Sequence, residues 1–161
     1  MNKVKLISRI GLLGLIVSCL LWSGCQYEAP ITAKPTRKID EKFLGNWISK
    51  DEKSGEIVRM KVAKLDDDNY VVFFDKDLYR VYHSDVAGTP FVSVQDLDSK
   101  ERKYSYSEWK LNDDGTLVGR AVNDKVVPDE TKDSTAVQKL LEKNLKNPAL
   151  FDEPMKFTKE K

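Results

Sequence analysis

From Ile39 onward, short runs of alternating apolar and polar residues are separated by turn signals. Ile39-Asp40-Glu41-Lys42-Phe43-Leu44 suits a single helical turn, and Gly45-Asn46-Trp47-Ile48 opens the first strand. Over Glu56–Leu65, Val58, Met60 and Val62 fall on one face, with Arg59 and Lys61 opposite, which is the period-2 signature of a half-buried strand. Asp66-Asp67-Asp68-Asn69 is a turn, Tyr70–Phe74 a near-continuous apolar strand, and Asp75-Lys76-Asp77 ends it. Leu78–His83, Phe91–Leu97, Arg102–Leu111, Thr116–Val122 and Lys125–Val127 continue the series. Asn112-Asp113-Asp114-Gly115 marks a hairpin, because glycine tolerates the positive φ a tight turn needs. One segment changes period. Ala136, Val137, Leu140, Leu141 and Leu145 recur at helical spacing behind Thr135–Gln138, which has capping-box form, and Asn147-Pro148 stops the helix. Met155–Thr158 suits a last strand. These elements predict a mainly β domain over residues 39–161: an antiparallel meander closing into a small barrel or sandwich, with one C-terminal helix and a final short strand.

The N-terminus has a different pattern. Lys3, Lys5 and Arg9 precede Ile10–Trp22, an apolar run of 13 residues. That is too short for a spanning helix, which needs about 20, but it suits the core of an export signal. The run ends in Ser23-Gly24-Cys25, which resembles the bacterial lipobox. The resemblance implies cleavage after Gly24 and a diacylglyceryl group on Cys25. Residues 1–24 are then the signal peptide and Cys25 the lipid attachment site. Trp22 stands where a lipobox usually has Leu, and Ile16-Val17-Ser18-Cys19 is the competing site, though it shortens the apolar core to nine residues. Two or three acyl chains exceed what stable membrane anchoring requires. The expected location is the cell envelope. Gln26 follows the cysteine rather than Asp, which implies the outer membrane if the host is Gram-negative. Residues 26–38 carry two prolines and no period, and read as a flexible tether from residue 25 to the domain.

The meander behind Gly45-Asn46-Trp47, followed by a helix and one more strand, is similar to the lipocalin plan. That resemblance implies that Trp47 closes one end of the barrel with a late-strand arginine across its ring, for which Arg120 is the candidate. It also implies an apolar small molecule or lipid in the barrel. The alternative is a non-enzymatic protein-interaction module in envelope assembly or inhibition.

Charge and chemistry narrow the field. Of 27 Lys and Arg, three precede Cys25, whereas all 26 Asp and Glu follow it, so the part from Cys25 onward is close to −2. That balance argues against nucleic acid as a partner. Both cysteines, Cys19 and Cys25, lie in or just after the apolar run, and His83 is the only histidine, so neither a thiolate nor a histidine metal site is expected. His83-Ser84-Asp85 has the residue types of a hydrolase triad, but neighbours on a strand point to opposite faces and cannot form one. Asp66-Asp67-Asp68-Asn69 lacks the glycine and distant glutamate of a calcium loop. Asp96 and Glu108 are the nearest candidates for a catalytic carboxylate pair, and each is expected to face solvent. Tyr104 and Tyr106 share one strand face, with Trp109 on the other. No enzyme activity and no cofactor are expected.

Overall fold

The computed structural model describes residues 26–50 and 55–160. Cys25 and the export segment lie outside them. Eight antiparallel strands follow one another around a closed barrel: β1 (Gly45–Lys50), β2 (Ile57–Lys64), β3 (Tyr70–Phe74), β4 (Asp77–His83), β5 (Val92–Asp96), β6 (Tyr104–Leu111), β7 (Leu117–Ala121) and β8 (Met155–Lys159). Each strand pairs with the next, and β8 returns to β1 through Trp47 opposite Lys159 and Ile48 opposite Thr158. Closure leaves no free strand edge. A 3-10 turn, Glu41–Phe43, precedes β1, and the helix α1 (Ser134–Asn144) lies between β7 and β8. The mainly β barrel with one helix and a short last strand is the architecture expected from the alternation of residues. Among the described residues no helix is long and apolar enough to cross a membrane.

Alternation places one face of every strand in the barrel. Met60 and Val62 of β2, Tyr70 and Val72 of β3, Tyr79 and Val81 of β4, and Val92 and Val94 of β5 all join Trp47, Trp109, Leu117 and Phe157 in one buried cluster. Six residues of that cluster, Phe43, Trp47, Tyr70, Tyr79, Trp109 and Phe157, carry aromatic rings, which fill an eight-stranded barrel whose interior has room for side chains or one small ligand.

A second cluster lies outside the wall. Tyr27, Ile31, Val86, Phe91, Tyr106, Val122, Val127, Val137, Leu141 and Leu150 are all buried there. The segment expected to be a free tether is thus packed, and the reason is its hydrogen bonding as much as its apolar residues. Tyr27 exchanges backbone hydrogen bonds with Tyr104 (2.7 and 2.8 Å), extending the sheet beside β6. Tyr27 stacks on Tyr106 with centroids 3.9 Å apart and donates its hydroxyl to Val127 O at 2.6 Å. Ile31 N–H donates to Ser93 Oγ, and Tyr106 and Tyr82 donate their hydroxyls to Ala29 O and Thr32 O. From above, Ser134 Oγ donates to Pro30 O and Gln138 Nε2 to Ile31 O. The chain from Tyr27 to Thr32 is therefore a strap clamped between the barrel wall and α1.

Two local expectations change. The helix is capped by Asp133, whose side chain accepts from Ala136 N–H, instead of by Thr135, and Gln138 is occupied with the strap instead of the cap. Residues 125–127 form no strand. Asn123 Oδ1 accepts from Lys125 N–H and turns the chain, which delivers Val127 to the outer cluster.

Candidate functional site

The two ends of the barrel differ. At the end closed by the 3-10 turn, Asp40 caps the turn by accepting from Lys42 N–H, and Phe43 is carried over the opening. Its ring sits 6.1 to 6.3 Å from those of Tyr70, His83 and Trp109. Trp47 lies inside this end, 1% exposed, with Nε1–H donating to Phe43 O at 2.9 Å. The ring is therefore fixed by both packing and a satisfied polar edge.

The cation on Trp47 is Lys159, whose Nζ stands 5.2 Å from the ring centroid. The expected Arg120 is elsewhere: its guanidinium lies 4.2 Å over Phe151 and donates from Nε to Glu108 Oε2 at 2.8 Å. The cause is register. Arg120 pairs with Glu108 in the ladder, and Trp109 with Gly119, so Arg120 projects outward while Trp109 projects inward. Lys159 is placed opposite Trp47 by the β1–β8 closure. Gly45 makes room for it. A Cβ at Gly45 would meet Lys159 Cε at 2.6 Å, and the backbone there has φ +137°, which a side chain disfavours. The Gly45-Asn46-Trp47 motif thus has a geometric role here: a bare backbone over which the lysine stem crosses to the ring.

His83 also belongs to the closed end. Its ring is buried, and Tyr70 Oη lies 3.0 Å from Nε2. Tyr70 Oη accepts from Asp40 N–H at 2.6 Å and stands 3.4 Å from Asp40 O. Burial, aided by the Arg37 charge and opposed by Asp85 and Asp40, pushes the imidazole down to about 4, so it is neutral at physiological pH. Its Nδ1 is buried without a hydrogen-bond partner among the described residues. Ser84 and Asp85 turn away. Ser84 Oγ bonds Thr32 and Ser93 under the strap, and Asp85 pairs with Arg37 at 2.6 Å. The three do not converge. Nor do Asp96 and Glu108: Asp96 Oδ1 accepts from Asp98 and Ser99 N–H in its turn, and Glu108 holds Arg120 on the outer wall. Asp66 Oδ1 is taken by Asn69 and by Asp68 N–H, a local turn network that holds its carboxyl below the usual range.

At the opposite end, inward-pointing residues are less enclosed. Ser49, Val58, Phe74 and Met155 are half-buried, and Phe74 meets Phe157 edge-on at 6.3 Å. A cleft of about 40 Å³ lies beside this mouth, lined by Gln26, Tyr79, Val94, Asp96, Lys103, Tyr104 and Ser105. It suits a water or two, whereas drug-sized ligands occupy about 300–1,000 Å³.

The outside of the barrel is equally uneven. The walls of β5 and β6 lie under the strap and the outer cluster, whereas on β2 and β3 Ile57 and Phe73 are exposed by 47% and 48%. Sequence reasoning missed the strap, the buried serines Ser84 and Ser93 that hold it, and Lys159. Tyr27 and Ile31, two large apolar residues on either side of Pro30, were the available signal.

Compared with known proteins, the chain matches no family model, no curated protein and no solved structure.

Proposed function

We propose that this chain is a lipid-anchored protein of the bacterial cell envelope, acting as a non-enzymatic interaction module whose barrel is a rigid support. The observation that carries this reading is the contrast between a filled interior and a bare wall. Phe43, Trp47, Tyr70 and Trp109 occupy the closed end with 8% exposure or less, while Phe73 stands half in solvent on the outside. A contiguous exposed apolar patch rimmed by polar residues marks an association site, and Phe73 has Val71 and Leu78 beside it on this wall. The anchor rests on the export-signal pattern and on Ser23-Gly24-Cys25. Mass spectrometry of the full protein, purified natively in detergent, tests both halves. A diacylglyceryl adduct on Cys25 with no stoichiometric small molecule is expected. Unmodified Cys25, or a bound lipid at one per chain, overturns the corresponding half.

A second reading keeps an apolar ligand in the barrel, as the lipocalin-like motif implies. It is favoured by the half-buried Val58, Phe74 and Met155 at the mouth. It requires Phe74 and Phe157 to part, and co-purified lipid that is lost on Phe74→Trp would support it.

A further inference from the structure

We infer that the outer wall of β1–β4, centred on Phe73 between Arg59, Lys61 and Arg80, docks an acidic protein segment that carries apolar side chains. This rests on the reading of the chain as a membrane-anchored interaction module and names the surface it uses. Outward positions on these strands are Asn46, Ile48 and Lys50; Ile57, Arg59, Lys61 and Ala63; Val71 and Phe73; and Leu78, Arg80 and Tyr82, the last already covered by the strap. Four are cations and none is a carboxylate, in a chain whose part from Cys25 onward is close to −2. The ladder brings them together. Phe73 lies opposite Lys61 on one side and Leu78 on the other, and Val71 lies opposite Ala63 and Arg80. Arg59 and Lys61 are exposed and make no ion pair with the other described residues. The carboxylates nearby sit in the turns at the two ends: at one, Asp67 and Asp68 are engaged by Lys64 and Lys38 and Asp66 feels the Arg80 charge; at the other stand Asp75 and Asp77. An apolar centre with arginines around it is the composition of a protein interface, and its charge fits an acidic partner. β2, β3 and β4 are each paired on both sides, so this surface offers no edge for strand addition and recognition is by side chains.

The position of the strap argues for a protein over the bilayer as occupant. Tyr27 is fixed to Tyr104 on β6, and two residues of chain span at most about 7 Å, so a lipid on Cys25 is tied close to that wall. In the order of the eight strands, β2 is four steps from β6 in either direction, the far side of the barrel. The cationic wall is then turned away from the lipid attachment.

The test uses the full lipidated chain in phosphatidylcholine nanodiscs and a labelled peptide in which Glu residues alternate with Leu and Phe, read by fluorescence anisotropy. Binding is expected, weakened at least about tenfold by Arg59→Glu/Lys61→Glu and by Phe73→Ser. Lys139→Glu/Lys143→Glu on α1 is expected to leave it unchanged. The same peptide with Lys for Glu is expected to bind the Arg59→Glu/Lys61→Glu variant better than the original protein, a reversal that misfolding cannot produce. Binding that ignores the β2 and β3 substitutions overturns this surface and leaves the interaction-module reading standing. Capture of phosphatidylglycerol vesicles, lost in Arg59→Glu/Lys61→Glu while the peptide fails to bind, makes a bilayer the occupant and overturns the protein one. Concentration-dependent dimerisation abolished by Phe73→Ser overturns it in favour of a second copy. Absence of peptide binding together with a stoichiometric apolar ligand overturns both the surface and the module reading.

Discussion

The protein has two hydrophobic cores that are built in opposite ways. The inner one is made by alternate residues of eight consecutive strands, so each strand contributes through its own period. The outer one gathers Tyr27 and Ile31, Val86 and Phe91, Tyr106, Val122 and Val127, then Val137, Leu141 and Leu150, pieces spread over most of the chain. Polar groups mark the same contrast. Inside, the Trp47 indole is satisfied four residues away at Phe43 O. Outside, Tyr27 reaches Val127, Ser134 reaches Pro30 and Gln138 reaches Ile31, each across 100 or more residues. A core with a local code can be found from sequence; one assembled from remote partners leaves little trace in any single segment.

The largest expected effect belongs to the inner core. Trp47→Ala removes one of the two tryptophans of the closed end and the indole donor to Phe43 O. Truncations of this kind cost about 3–5 kcal/mol. Urea unfolding followed by circular dichroism measures it, and a cost below about 1 kcal/mol would mean the ring is not part of the packing.

The outer core is tested by Tyr27→Ala, for which a loss of about 3 kcal/mol is expected from the buried ring, the Tyr106 stack and the Val127 hydrogen bond. A free tether would give a change within about 0.5 kcal/mol, as exposed substitutions do. The two outcomes are well separated, so this variant decides whether residues 27–32 are wall or linker.

These cases show what the sequence carried. Val58, Met60 and Val62 alternate with Arg59 and Lys61, and β2 follows directly from that pattern. Residues 26–38 have no period because the strap is neither helix nor long strand. Its burial comes from α1 above and the barrel wall below, and its backbone polar groups are met by Ser93, Tyr82 and Tyr106, whose own positions depend on the fold. Lys159 reads as a solvated chain end until β8 closes on β1. Trp47 is buried at the closed end, and the cation over its ring is Lys159. The register of β6 and β7, which no local feature encodes, decided which cation reaches it.

His83 gives the inner core a pH dependence in the acid range. In the fold the imidazole is held down to about 4 against an ordinary value of 6.5. The unfolded chain therefore takes up a proton as pH falls below 6.5, while the folded protein does not until about 4. Stability from this group is full above 6.5 and is lost progressively between 6.5 and 4, by about 2–3 kcal/mol in all. Carboxylates also titrate in this window, so the measurement is a comparison. The stability of the protein minus that of His83→Gln is expected to fall across the window, and a parallel pair of curves would show that His83 is not buried neutral.

The smallest effects sharpen the comparison most, because each core has its own cation. Lys159 serves the inner core over Trp47, and Arg120 serves the outer wall over Phe151 and beside Glu108. Both are partly solvated, where a cation–π contact is worth about 0.5–1 kcal/mol. Three double-mutant cycles separate them. Arg120→Met with Phe151→Leu is expected to show a coupling of about 0.5–1 kcal/mol, and Lys159→Met with Trp47→Phe one of about 0.5 kcal/mol, both reduced by salt. Arg120→Met with Trp47→Phe is expected to be additive within error, since Arg120 leaves the barrel on the face opposite to Trp109. A coupling in that third cycle equal to the first would return Arg120 to Trp47 and mean that the β6–β7 register differs from the one described. Additivity in the second cycle with strain at Gly45→Ala persisting would separate the lysine's charge from its stem. The stem makes the close approach above Gly45, with Cε at 2.6 Å from a Cβ placed there and Nζ farther off at 3.5 Å, so Lys159→Met is expected to retain that crowding while losing the attraction to the ring.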